Sequence, residues 1–490
     1  MNASNQKSIN QEKIQAINRA LIIDLLRQQG VCSRATLAHL SGLKQATITN
    51  IIAECITSGF VMETGLMSGS KGRRSIGITL NEEHCHVIGI RMTRSAFYLC
   101  LAGLSGKPFH VQEFPIAPGE PVQTTLPRIR RAVENTLAQS ETKIAAACMA
   151  MPGPYHEDRD CLFFVTELSG WQNYPIRATL TKGLDLPFLV VNDANASAFA
   201  QLWYHGQEPA TQNMLYVLAG QGVGCGIISE GRLVTGQRGL AGEFGHNSID
   251  YNGLPCECGN RGCLEKYCST LTLRSRIRER LAAGEASKLQ ADALSTEALA
   301  HAVAQGDPVA CEEYDRVCEF LSIGITNLIN QLNPGIIVIG DELAEIAPDR
   351  MLATVRERVK ESVHTLSPGE VAIEVNRLPG SPVLLGAAAF AAQSVLADPG
   401  KLIQEAAVSQ EISSAPLELA AVWPHRIIQK GQQRCFSAAL FSVLHDSVQT
   451  LFFSKGTPSL SPVEILHRGK ERGFLLRYFP GKAPRRAALL

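Results

Sequence analysis

Four side chains in one short stretch have the types and spacing to hold a metal ion. His246, Cys256, Cys258 and Cys263 read H-x9-C-x-C-x4-C. Three thiolates and one imidazole complete a tetrahedral shell around zinc and leave no position for water, so the expected role is structural rather than catalytic. Gly259 and Gly262 lie between the last two cysteines and let one tight loop wrap the ion, a combination that scattered reduced thiols would not bring. A second polar group, Asn192-Asp193-Ala194-Asn195, follows the apolar run 188–191. It therefore sits at the C-terminal end of an expected strand, the usual ligand edge in α/β sheets.

The elements that must position these groups are legible in outline. From His86 onward, short apolar runs alternate with helical segments. Residues 87–90 and 96–101 suit a hairpin, and 144–149, 186–191, 214–218, 226–228 and 336–339 suit further strands. Helices are expected over 127–139 and 318–332, and the Ala-rich run 382–397 reads as a buried helix, too short for a membrane span. This mixture predicts an α/β protein of two lobes. A chain of 490 residues suits about three domains. With 46 basic and 46 acidic residues, any affinity for nucleic acid must come from a local patch. A polar N-terminus without an apolar segment predicts no secretory signal, and 14 cysteines without a regular pairing pattern fit a reducing cytoplasm.

Such a patch lies in the first eighty residues. Ile14, Ile17, Leu21, Ile22, Leu25 and Leu26 recur at helical spacing in a helix ending near Gly30. Ser33 is a natural N-cap for a second helix, 34–40, and a Ser-Gly-Leu turn leads to a third, 44–58, with Ile48, Ile51, Ile52, Cys55 and Ile56 inward. That order is the helix-turn-helix pattern. Lys44, Gln45, Thr47, Thr49 and Asn50 fall on the outer face of the third helix, where they can donate to phosphates or read base edges. Strands at 60–63 and 75–80 flank a loop with Lys71, Arg73 and Arg74, the layout of a basic wing. Residues 1–80 carry nine Lys or Arg against four Asp or Glu, which points to double-stranded DNA as a partner.

The segment Gly-Glu-Phe-Gly-His at 242–246, followed by Cys-Glu-Cys-Gly-Asn-Arg-Gly-Cys-Leu-Glu at 256–265, resembles the signature of the ROK family of repressors, uncharacterised reading frames and sugar kinases. The resemblance covers roughly residues 10 to 395. It implies a winged helix-turn-helix domain (1–81), then a two-lobed actin-like, ribonuclease-H-like sugar-kinase fold with a structural zinc loop (82–396). By resemblance, Asn192, Asp193, Glu243, His246 and Glu265 form a hexose site. Asp193 matches the catalytic base of the kinases, and His246 ligates zinc through one nitrogen while the other meets a sugar hydroxyl. Carboxylates suit such a site because each accepts two hydroxyl protons. The family often has Asn four positions before the Trp of this segment, whereas this chain reads Glu167-Leu168-Ser169-Gly170-Trp171, which leaves the sugar open.

Kinases of this family open the first lobe with an Asp-x-Gly-Gly-Thr loop whose amides approach the phosphates. Here the corresponding residues are Gly89-Ile90-Arg91-Met92-Thr93-Arg94-Ser95. The second loop, 220–226, carries Gln221 and Cys225 where kinases have Thr and Gly, and the turn 339–342 brings Asp341 and Glu342 in place of a Gly pair. A triphosphate is therefore expected to meet bulk at the first loop and repulsion at the third. The expectation is a non-enzymatic transcription regulator of carbohydrate metabolism, most simply a repressor. It would be controlled by a sugar or sugar phosphate and would bind its operator as a homodimer or homotetramer, without membrane insertion. Two alternatives stand beside it: a zinc-containing hexose or N-acetylhexosamine kinase, and a regulator captured by a transport protein. Residues 397–490 match no pattern, beyond an expected helix at 436–448 and a strand at 473–479.

Overall fold

The computed structural model describes residues 11–67, 75–163, 168, 170–206, 208–363, 370–397, 464–467 and 474–477. The chain divides into two units, Met1–Ala407 and Val408–Leu490. In the second, β15 (Glu464–His467) and β16 (Phe474–Arg477) pair antiparallel, β16 falling within the expected strand. The helix expected at 436–448 lies outside the described residues.

The first unit opens with α1 (Gln11–Gln29), α2 (Arg34–Ser41) and α3 (Gln45–Thr57), then a hairpin of β1 (Val61–Met67) and β2 (Ser75–Leu80). The Ser33 hydroxyl accepts from the Thr36 amide at 3.1 Å and caps α2, and Gly42, at φ 69°, ends it in the left-handed conformation. Ile22, Ile23, Leu26, Leu37, Ile48, Ile52 and Phe60 are fully or almost fully buried. The single inner face expected for α1 needs correction. Ile22, Ile23 and Leu26 face the core, while Ile14, Ile17 and Leu21 lie on another side and are 48%, 53% and 40% exposed.

The body repeats one pattern twice. β3 (His86–Met92), β4 (Ala96–Ala102) and β5 (Pro108–Pro115) run antiparallel. After α4 (Val122–Gln139), β6 (Ile144–Met151) runs parallel to β3. The small pair β7 (Tyr155–His156) and β8 (Cys161–Leu162) and α5 (Ile176–Thr181) lead to β9 (Phe188–Asn192), parallel to β6. The first sheet therefore has the order β5-β4-β3-β6-β9. After α6 (Asp193–His205), the second sheet begins with β10 (Met214–Ala219), β11 (Val223–Ser229) and β12 (Arg232–Leu233), again antiparallel. The helices α7 (Glu265–Cys268), α8 (Thr270–Ala282), α9 (Thr296–Ala304) and α10 (Pro308–Leu332) follow. β13 (Ile336–Gly340), α11 (Glu342–Ile346), α12 (Pro348–Ser362), β14 (Ala372–Val375) and α13 (Pro382–Ala397) complete the unit. The second sheet has the order β12-β11-β10-β13-β14, with β13 and β14 parallel to β10.

Two helices fill the space between the sheets. α6 packs on β10 and β11, α13 packs on β3 and β6, and the two pack on each other. α13 is rich in small residues: Ala387, Ala388, Ala389, Ala391 and Ala392 are fully buried between α6 and the first sheet's side of the core. Backbones approach so closely that a Cβ on Gly386 would fall 1.8 Å from the Ala196 carbonyl oxygen. The Ala-rich run is thus a buried helix, and no helix among the described residues is long and apolar enough to cross a membrane. Two expected helices begin earlier than their patterns suggested. α4 starts at Val122 and carries Pro127 inside it. α10 starts at Pro308, where the Asp307 side chain accepts from the Ala310 amide at 3.0 Å.

Candidate ligand cleft and metal loop

β9 ends and α6 begins at the polar group singled out in the sequence. Asn192 caps α6, its side-chain oxygen accepting from the Asn195 amide at 3.1 Å while its amide donates to the Gly153 carbonyl at 3.2 Å. This fixes Asp193 at the first turn, on the wall of a cleft of about 330 Å³. Asn192, Asp193, Glu243, His246 and Glu265 all line that cleft. The buried Glu265 accepts from the Val223 amide at 2.9 Å, which ties α7 to β11.

Two of these carboxyls, Asp193 and Glu243, resist ionisation. Burial, then the neighbouring Asp341, push Asp193 up to about 7 against the pull of its own helix amide, Arg91 and Arg94. Burial, Asp193 and Glu265 push Glu243 up to about 7 as well. Near neutrality, protonated and ionised carboxyls therefore coexist here, so the wall can both donate to and accept from hydroxyl groups.

Arg91, Asp341 and Glu342 also line the cleft, and each is paired within the protein. Arg91, on β3, donates to Asp341 at 3.0 Å and to the Ser381 hydroxyl at 2.9 Å. Glu342 accepts from Arg274 at 2.9 Å, from the Thr270 hydroxyl, and through its other oxygen from Gln221 at 2.9 Å. Burial works against the charge on Glu342, but Arg274, Thr270 and Gln221 outweigh it and hold this carboxyl below its usual range. The unopposed repulsion expected at Asp341 and Glu342 is therefore replaced by ion pairing. Asp341 sits at φ 74°, ψ −169°, a region nearly reserved for glycine, and a Cβ on Gly220 would fall 2.1 Å from its carboxylate. The pairings of Arg91 and Arg274 were not foreseen. The only signal for them was a pair of acids standing where glycines were expected.

The metal quartet comes together beside the cleft. One donor atom from each of His246, Cys256, Cys258 and Cys263 lies within 4.8 Å of the others. The His246 Nδ1 is 3.6 Å from the Cys256 sulfur, and the Cys258 and Cys263 sulfurs are 3.6 Å apart. Metal–sulfur bonds of about 2.3 Å in a tetrahedron imply sulfurs nearly 4 Å apart, so the set fits a single ion. Gly262, at φ 68°, closes the loop where a Cβ would meet the Asp250 carbonyl at 1.8 Å. His246 borders both the quartet and the cleft.

Away from the cleft, Lys44, Gln45, Thr49 and Asn50 are exposed and Thr47 half-exposed along the start of α3. Lys44 caps the helix and Gln45 opens it, and the Thr49 hydroxyl donates back to the Gln45 carbonyl at 2.9 Å. Lys71, Arg73, Arg74 and Glu167 lie outside the described residues.

Comparison with known proteins agrees with this layout. The "Xylose repressor" of Caldicellulosiruptor bescii is 27% identical over 397 residues, covering 80% of this chain and 99% of that protein. The "DNA-binding transcriptional dual regulator NagC" of Escherichia coli (strain K12) is 29% identical over 343 residues, 69% of this chain and 83% of that one. A crystal structure described as a ROK family transcriptional regulator, homolog of the E. coli MLC protein, is 27% identical with a TM-score of 0.67, covering 80% of this chain and 99% of its own. Residues 87–394 match the ROK family along their whole length, and on that match, with the cleft and metal loop falling inside it, the chain belongs to the ROK family.

Proposed function

We propose that the protein is a sugar-responsive, DNA-binding transcription regulator, most simply a repressor of carbohydrate-metabolism genes. The observation that carries this reading is what lines the cleft: Asp193, Glu243, His246 and Glu265 stand on its wall, while Asp341 and Glu342 on the same lining are held by Arg91 and Arg274. A nucleotide triphosphate would have to break both pairs and bring further negative charge beside Asp341 and Glu342. A neutral, hydroxyl-rich ligand asks for neither. The relatives named as repressors support the same reading.

Residues 1–81 act as a winged helix-turn-helix head, 82–396 as the ligand-binding body and 397–490 as an extension. Lys44, Gln45, Thr47, Thr49 and Asn50 meet the operator's major groove, and Lys71, Arg73 and Arg74 its backbone. Asn192, Asp193, Glu243, His246 and Glu265 hold the sugar's hydroxyls. Zinc on His246, Cys256, Cys258 and Cys263 braces the wall to which His246 belongs. A homodimer or homotetramer presents two heads to half-sites about one helical turn apart. Ligand acts by binding one arrangement of the heads better than another, since equal affinity for both would shift nothing.

One observation favours the kinase alternative. A carboxyl titrating near 7 is well placed to act as a general base. One experiment separates the readings. The purified protein is first used to select a duplex operator. Xylose, glucose, N-acetylglucosamine and their phosphate esters are then tested for release, in parallel with ATP turnover on the free sugars. Release without turnover is expected. Turnover at a useful rate, or indifference to every duplex at low salt, overturns the proposal. Release by a membrane transport protein but by no sugar points to the partner-controlled alternative.

A further inference from the structure

One helix, α6, reaches both the cleft and the head, beside α13, which also packs on α1. At its start, α6 carries Asn192 as its cap and Asp193 on the cleft wall. Near its end, Trp203 receives a side chain from the head: the Arg27 guanidinium of α1 lies 3.7 Å over the indole ring and donates to the Trp203 carbonyl at 2.9 Å. Arg27 is only 9% exposed along its side chain, and Asp24, one turn earlier on α1, accepts from it at 2.9 Å. The guanidinium is thus oriented from its own helix before it reaches the body.

The receiving end is held just as firmly. The Trp203 indole donates to the Ser105 carbonyl at 2.7 Å, and the Tyr204 hydroxyl donates to the Gly106 carbonyl at 2.7 Å. Gly106, at φ 81°, allows this approach, since a Cβ there would lie 3.0 Å from the indole nitrogen. Phe199, one turn back, stacks on Phe390 of α13 with ring centres 4.1 Å apart. Between cap and tryptophan, α6 contains neither glycine nor proline. Its thirteen residues therefore form a stiff element of about 20 Å, along which a shift at one end reaches the other with little loss.

We propose that α6 is the transmitting element between the ligand cleft and the DNA-reading head, and that the Arg27–Trp203 contact is its coupling to the head. Arg27 and Trp203 are positioning residues. They lie outside the cleft lining and set where the head rests for a given position of α6. This deepens the regulator reading and borrows its purpose from it, while the mechanical link itself can be tested without any ligand.

The test is amide hydrogen exchange on the full-length protein, followed in peptides covering residues 19–29 of α1. Asn192→Ala removes the α6 cap at the cleft end. It is expected to speed exchange in α1 by at least about threefold in the native background and to leave it unchanged in an Arg27→Met background. Arg27→Lys keeps the charge but loses the flat guanidinium, and is expected to restore only part of the response. A general loosening of the fold would accelerate α1 equally in both backgrounds. Equal acceleration, or none in the native background, overturns the proposal. The same samples with xylose, glucose or N-acetylglucosamine report separately on the cleft. If none of these slows exchange around 192–195 and 243–246, the sugar-binding reading falls, while the α1 comparison still decides the route.

Discussion

Replacing Asp341 by glycine sets two effects of similar size against each other. The present backbone at φ 74°, ψ −169° costs a residue with a Cβ of the order of 1–3 kcal/mol, which glycine recovers. The same change removes the partner of Arg91. Truncating one member of a buried pair costs about 3–5 kcal/mol, because the remaining charge is left uncompensated. Here the side chains are 21% and 16% exposed and Arg91 keeps the Ser381 hydroxyl, so the lower end of that range applies. Asp341→Gly should therefore be close to neutral, losing at most about 2 kcal/mol. Arg91→Ala has no such compensation. It keeps the strained backbone and leaves Asp341 unpaired near Asp193, at a cost of about 3 kcal/mol. Once the double variant has lost both charges, it should be more stable than the sum of the single costs by about 2–3 kcal/mol. Thermal melts of the wild type, both single variants and the double variant, at one ionic strength and pH, give the comparison. The expected order is wild type, Asp341→Gly, the double variant close to it, then Arg91→Ala. If Arg91→Ala melts above Asp341→Gly, or the single costs add within about 0.5 kcal/mol, the pair does not hold the cleft as described.

Three further outcomes follow from the geometry. Metal analysis should find one zinc per chain, and Cys258→Ser or Gly262→Ala should lower both its retention against a chelator and the melting temperature; full retention in both variants would remove the loop's assigned role. Asp193 binds its proton more tightly in the folded protein, so its contribution to stability is greatest below pH 4 and is lost as pH rises towards 7. Asp193→Asn should therefore raise the melting temperature at pH 8 and do little at pH 4, and a uniform shift at both would contradict that environment. On DNA, Lys44→Ala should weaken binding evenly across sequences and reduce the salt slope by about 1, whereas Asn50→Ala should relax preference at particular base pairs; indifference of both would move the interface away from α3.

What could be read from the chain beforehand was what depends on near neighbours. The metal quartet spans eighteen residues and declares itself by ligand type and by the glycines its turn needs. The helices of the head follow from apolar spacing with a Ser cap and a Gly stop, and the cleft's Asn192-Asp193 from its place after an apolar strand. Hidden from that reading were partners set far apart along the chain. Arg91 and Asp341 are separated by 250 positions, and Arg274 and Glu342 by 68. Nothing local distinguishes an acid that repels a phosphate from one that already has its arginine. The exposed Ile14, Ile17 and Leu21 misled for a related reason: α1 is apolar on more than one side, and periodicity cannot say which side the core takes.

The crossing of α6 and α13 bears on how the body can be built at all. α6 leaves the first sheet at β9 but covers the second, and α13 leaves the second sheet at β14 but covers the first. Each half of the chain thus supplies the inner lining of the other, and a fragment cut near residue 206 would leave Val87, Ala146, Cys148 and Ala150 without their cover. The halves cannot mature one after the other as the ribosome delivers them. The first must wait, incompletely packed, until the last helix of the second arrives, and two separately expressed fragments should be soluble only when produced together.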